Sequence, residues 1–159
     1  MSCQRVLPDA LPPDDHIRES HHVHLDPVPR IVAEARRFVL AHAPDLPAET
    51  RDSLVLLTSE LVTNAVLHAR TPIELGITIA DDSVLVTVHD LDLARREQSP
   101  YTGREGGWGL GLVAALADGS SMDSHPDGGK TAWFRLPRSG QPAVEDGAAE
   151  RTAPDGSGA

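Results

Sequence analysis

A run from Ala48 to Ala69, AETRDSLVLLTSELVTNAVLHA, contains neither glycine nor proline and follows the breakers Pro44 and Pro47. Strong helix formers inside the run and breakers ahead of it predict one long helix over 48–69. At about 100° per residue, Glu60, Asn64 and His68 fall within about 80° of one another and form a stripe. Leu56 and Leu67 flank that stripe on one side, Leu57 and Leu61 on the other, while Val55, Val62 and Val66 cover the far side. A helix apolar nearly all round is expected to be buried, and a carboxylate among its leucines then costs on the order of several kcal/mol unless it is paired, hydrated or used. Solvation at a partly exposed edge is the plain alternative. The stripe alone does not decide between them.

With 159 residues the chain has enough material for one core and too little for two. Aromatics are only 3% of it, so that core is aliphatic. Lys plus Arg number 14 against 24 for Asp plus Glu, a net charge of −10 whose field repels nucleic acid and anionic membranes. Lys130 is the single lysine, a bias toward arginine that reads as genome composition. Cys3 is the only cysteine, which excludes an intramolecular disulfide framework. No stretch approaches the roughly 18 apolar residues that span a bilayer, and the N-terminus lacks the apolar run of a signal peptide. A soluble, cytoplasmic protein is the expectation.

Composition shifts at both ends. Residues 1–19 are rich in proline and acids without apolar period, predicting a flexible N-terminal arm; residues 138–159 combine Gly, Pro, Ala and charge, predicting a disordered C-terminal tail. The domain is placed at 20–137. Within it, His21 to Leu25 reads as a short strand. Asp26 is a plausible cap for a first helix that carries Pro27 and Pro29 in its opening turn and ends near Ala43. After the long helix come two strands, 73–80 and 83–90, joined by an Asp81-Asp82 hairpin turn. Residues 91–108 form a polar loop, and a short helix runs from Gly109 to about Ala117. A strand near 120–125, a turn at 127–129 and a last strand from Lys130 to Leu136 follow. The order predicts an α/β two-layer sandwich, a mixed and largely antiparallel sheet with helices on one face.

Two further features carry chemistry. Gly106-Gly107-Trp108-Gly109-Leu110-Gly111-Leu112 leads into a helix, where free N–H groups and the positive end of the helix dipole suit an anion such as phosphate. A dinucleotide fingerprint fails because Leu112 takes the third glycine's place, and no Gly-Lys-Ser/Thr of a P-loop follows. A flexible turn is the ordinary reading of such glycines. Asp90 ends a strand whose alternate residues Val84, Val86 and Val88 are apolar, so its carboxylate is placed where a ligand amino group could be read. An ordinary strand-ending aspartate is the alternative.

Glu60-Leu-Val-Thr-Asn64, Asp90, the Gly106–Gly111 loop and the closing strand from Gly128-Gly129-Lys130-Thr131 resemble, in order and spacing, the GHKL ATPase family with its Bergerat, or histidine-kinase-like, fold. Within that family the chain is most similar to small anti-sigma regulatory factors with serine/threonine kinase activity. The likeness covers about residues 20–137, and ELVTNAVLHA, the N box, is its most specific segment. The resemblance implies ATP and Mg²⁺ as cofactors, Asn64 as metal ligand and Glu60 as general base. It implies Asp90 as acceptor for the adenine amino group, a phosphate lid including Gly107, Gly109, Leu110 and Gly111, and Thr131 as support for the adenine end. His68 is assigned a structural role beside them.

The family places a glycine two residues beyond its aspartate, whereas this chain has Asp90-Leu91-Asp92. No phosphoacceptor-histidine helix pair precedes the domain, so its substrate is expected to be a separate protein. The implied function is phosphorylation of a serine on a small STAS-type anti-sigma factor antagonist, together with sequestration of a sigma factor, without direct nucleic-acid or membrane contact. Homodimerisation is left open. The competing reading is a non-catalytic partner-binding module of the same fold. A cluster of His16, His21, His22 and His24 is read as solvated, with a metal site as the alternative.

Overall fold

The computed structural model describes residues 10–68, 71–90, 107–125 and 129–139. Five strands and three helices follow in the order β1 (Ile17–Leu25), α1 (Ile31–His42), α2 (Ala48–His68), β2 (Ile73–Ala80), β3 (Ser83–Asp90), α3 (Gly107–Leu116), β4 (Gly119–Ser124) and β5 (Lys130–Pro137). The sheet order is β1-β2-β3-β5-β4. Among the described residues every pairing is antiparallel, where a mixed and largely antiparallel sheet was expected. α1 packs on β2, α2 on β3 and β5, and α3 on α2 and β4, which makes the two-layer sandwich.

Alternation along the strands decides what faces the helices. On that side, Ile79 pairs with Val84 and Val84 with Leu136; Ile77 with Val86 and Val86 with Phe134; Leu75 with Val88 and Val88 with Ala132. Three apolar rows thus cross the central strands, and Phe134, Val84, Val86, Leu75 and Ile77 are fully buried. The next row is Ile73, Asp90 and Lys130. There the apolar surface gives way to charge.

α2 is buried along one stripe, Leu54, Leu57, Thr58, Leu61, Val62 and Ala65, which recurs at three- and four-residue spacing. Full burial of the helix does not hold: Leu67 is 74% and Leu56 40% exposed. The stripe of Glu60, Asn64 and His68 therefore runs along the boundary between core and solvent, with Glu60 and Asn64 half-buried and His68 exposed.

The ends of the domain also differ from expectation. Residues 10–19 are built into the fold. Ala10 is fully buried against Leu85 and Trp133, and Asp15 accepts hydrogen bonds from the Asp82 backbone N–H and the Ser83 hydroxyl, tying the segment to the β2–β3 hairpin. These contacts reach across more than 60 residues of sequence, where no local pattern signals them. Arg18 hydrogen-bonds Asp81 and so holds its carboxyl below the ordinary carboxylate value. At the other end, Arg138 donates to the carbonyls of Ala80 and Asp81 at 3.1 and 3.2 Å, so the fold continues past residue 137. Residues 1–9 and 140–159 lie outside the described residues.

α1 starts at Ile31, beyond both prolines, and no side chain caps it. Val28 precedes Pro29 and is thereby steered away from helical backbone, so tight turns occupy 26–30 and Asp26 is not the cap. β1 begins at Ile17, four residues earlier than expected, because its polar alternation belongs to an edge strand. His21 lies on the helix side of β1 and stacks on His42 of α1, with ring centroids 3.9 Å apart and Phe38 edge-on to His42. His22 and His24 point to the opposite side and face Glu74, the His24 Nε2–Oε2 distance being 3.1 Å. Among the described residues no three such side chains gather as they would around a metal ion.

Partial burial, followed by repulsion from His21, lowers the pKa of His42 below the ordinary 6.5, and Glu19 only partly opposes this. The folded chain thus binds fewer protons than the unfolded chain between that lowered value and 6.5. Stability is expected to be complete above pH 6.5 and to fall as the pH drops below it. Thermal melts at pH 7.5 and 5.0 check this against His42→Phe, which keeps the ring contacts without the proton. The variant is expected to lose less stability in acid than the parent; equal losses contradict the assignment.

Candidate functional site

Where the apolar rows stop, the edge of α2 and the ends of β3, β4 and β5 enclose a concave pocket. Its walls are Leu61, Asn64, Ala65, His68, Val88, Asp90, Met122, Lys130 and Ala132, and it is shallow and open to solvent. The apolar members come from the core stripe of α2 and from the Val88–Ala132 row, so two sides of the pocket are apolar. The polar members stand at the rim of the same surface. Asp90, 7% exposed, is held by antiparallel register between Ile73 and Lys130. Asn64 offers an amide oxygen and an amide N–H₂ from α2.

Gly129 locks this end of the sheet. Its φ is +82°, and a Cβ there would lie 2.3 Å from the carbonyl oxygen of Asp90. Both the left-handed backbone and the close approach require glycine. The glycine therefore holds the β5 entry directly against the residue that presents the pocket's carboxylate.

The expected site residues separate into groups. Asn64 and Asp90 meet in the pocket, and His68, assigned only a structural role, lines it as well. Glu60 stands one helical turn from Asn64 on the same edge of α2 but is not among the lining residues. Gly107, Gly109 and Gly111 belong to α3 itself, which begins two residues earlier than expected, so Gly107, Gly109 and Leu110 form its first turn. The first four N–H groups of a helix have no intrahelical acceptor, and residues 107–110 supply them. Gly111 is exposed, with open space where a Cβ would sit. Gly106, Leu91 and Asp92 lie outside the described residues.

Thr131, expected to support the adenine end, is not among the residues lining the pocket. It pairs with His89, not with Asp90, and so belongs to the opposite face of the sheet. There its hydroxyl meets Nδ1 of His89 at 2.9 Å and Nε2 of His125 at 2.7 Å. A shift of one residue along a strand moves a side chain to the other face, and the pocket position falls to Lys130. Sequence reasoning set Lys130 aside as composition. The sharper signal was parity: counting back in twos from the buried Leu136 and Phe134 reaches Ala132 and Lys130.

A second, wider cleft lies where β1 meets the end of α1. It is lined by Arg18, Glu19, His21, His42, Asp45 and Arg138 among others. Its two arginines are engaged by Asp81 and by the carbonyls of Ala80 and Asp81. None of the expected site residues lines it. No helix of the described residues is long and apolar enough to cross a membrane.

The sequence model of the histidine kinase-like ATPase domain matches residues 25–136. No curated protein matches the sequence. Among solved structures, the crystal structure of the RsbU and RsbW domains of Rv1364c from Mycobacterium tuberculosis superposes with a TM-score of 0.56 at 24% identity. That match covers 75% of this chain and 32% of the other, so the chain spans about a third of that structure. It is a likeness of fold. The match over 25–136 takes in α1 to β4, nearly all of β5 and the whole pocket, and the chain is a member of the histidine kinase-like ATPase family.

Proposed function

We propose that this chain is an ATP- and Mg²⁺-dependent protein kinase of the anti-sigma type, which phosphorylates a serine on a small antagonist protein and sequesters a sigma factor. The observation that carries the nucleotide part is the meeting of Asn64 and Asp90 in one pocket with apolar walls. Support for the regulatory part is the fold likeness to a structure containing an RsbW domain, together with the resemblance of ELVTNAVLHA to the anti-sigma kinases.

The residues present fit the nucleotide and its metal. Asp90 offers a carboxylate that can accept an N–H from the base, with Val88, Ala132 and Met122 beside it for the ring. Lys130, the chain's single lysine, lines the same pocket. Asn64 offers the hard oxygen that suits Mg²⁺. The bound metal neutralises charge on the phosphates during transfer. Glu60, half-buried one turn from Asn64, is the carboxylate assigned to accept the proton of an incoming hydroxyl. The first turn of α3 offers backbone N–H groups to phosphate oxygens.

The non-catalytic alternative has one observation in its favour, that Glu60 is absent from the pocket wall. Glu60→Ala and Asn64→Ala separate the two readings, measured with labelled ATP and a serine-bearing antagonist from the same cell. Asn64→Ala is expected to weaken Mg·ATP binding. Glu60→Ala is expected to bind nucleotide nearly as well as the parent and to lose on the order of 10²–10⁴ in transfer rate. Transfer at the parental rate by Glu60→Ala contradicts the base assignment.

Gly111→Ala tests the role of α3. With open space at the Cβ position, alanine is expected to raise stability by about 0.5–1 kcal/mol through helix propensity alone. If nucleotide phosphates approach that backbone, the same change lowers ATP affinity. A more stable variant with parental affinity removes Gly111 from the site.

A further inference from the structure

Behind the pocket, on the sheet face away from the helices, three side chains converge. Thr131 is 6% exposed, and its hydroxyl oxygen lies 2.9 Å from Nδ1 of His89 and 2.7 Å from Nε2 of His125. The two imidazole rings are 5.3 Å apart and tilted by 60°. A hydroxyl has one proton to give and lone pairs to accept with, so Thr131 can donate to one neutral imidazole while accepting the N–H of the other. Both bonds form together when the two rings adopt complementary tautomers.

Each member of this cluster is tied to a residue that builds the pocket. His89 immediately precedes Asp90, and Thr131 immediately follows Lys130. The backbone N–H of His125 donates to the carbonyl of Gly129 at 3.0 Å, and Gly129 in turn is pressed against the carbonyl of Asp90. Among the described residues Asp90 and Lys130 form the last pair of the β3–β5 ladder at this end. The cluster therefore braces, from the back of the sheet, the backbone on either side of that pair.

We propose that the His89–Thr131–His125 cluster is a bracket that sets the position of Asp90 and Lys130 in the pocket from behind. Thr131 is then a positioning residue for recognition of the adenine base. It does not touch the ligand. The inference rests on reading the pocket as the adenine site, and it places the effect on the base end of the nucleotide alone. A displacement of about 1 Å in such a group is enough to cost up to a hundredfold in function.

The test is titration of the full chain and its variants with Mg·ATP and with Mg·triphosphate, which has no base, accompanied by thermal melts. Thr131→Val keeps the shape and removes the hydroxyl; Thr131→Ser keeps the hydroxyl. The parent is expected to prefer ATP. Thr131→Val is expected to lose about ten- to a hundredfold in ATP affinity with triphosphate affinity unchanged, and Thr131→Ser to restore the parental ratio. A parental ratio in Thr131→Val overturns the bracket, and so does an equal loss for both ligands, which is the signature of a merely structural role. Should Thr131→Val not fold, His125→Ala removes one arm, and its ATP-to-triphosphate ratio decides the matter in the same way. A parent without preference for ATP overturns the adenine reading itself, an outcome distinct from failure of the bracket.

Discussion

The register between β2, β3 and β5 is the constraint on which the rest depends. Side chains on a strand alternate strictly, so once Val84, Val86 and Val88 face the helices, Asp90 must face them too. The same parity brings Leu136, Phe134, Ala132 and finally Lys130 to that side of β5. Three rows of apolar pairs bury the core, and the fourth row carries the charges of the pocket. Core and site are thus one pattern read in sequence. Slipping the register by a residue would bury Thr87 and His89 and place Asp90 on the open face.

α2 obeys a second division. Its buried stripe holds the helix against β3 and β5, while the exposed Leu56 and Leu67 leave the opposite side in solvent. Glu60, Asn64 and His68 run along the boundary between the two. That position resolves the difficulty of a carboxylate on an apolar helix. A half-buried glutamate keeps part of its hydration, while Asn64 still reaches the pocket wall.

Much of this was legible in the sequence because the signals are local. The uninterrupted run from Ala48 gave α2 to within a residue of its end, and Asp81-Asp82 between two apolar runs gave the hairpin with both flanking strands. Asp90 followed from the alternation of Val84, Val86 and Val88. The rest was hidden where tertiary contacts outvote local pattern. The start of β1, residues 17–19, reads as an arm until β2 pairs with it, and Asp15 has meaning only beside Ser83. The start of α1 was misread because Pro27 and Pro29 suit a first turn singly but not in alternation with Val28. Thr131 stands one residue of parity away from the pocket, and Lys130, which lines it, was overlooked because a lone lysine looks like composition.

The central claim is that the pocket between α2 and the ends of β3 and β5 receives Mg·ATP. Backbone amide chemical shifts recorded during titration of the isotopically labelled chain with Mg·ATP test it residue by residue. The account predicts shifts concentrated at 61–68, 88–90, 107–112 and 129–132, with Arg18, His42 and Arg138 of the second cleft unmoved. Shifts centred on that second cleft, or none at millimolar nucleotide, contradict it.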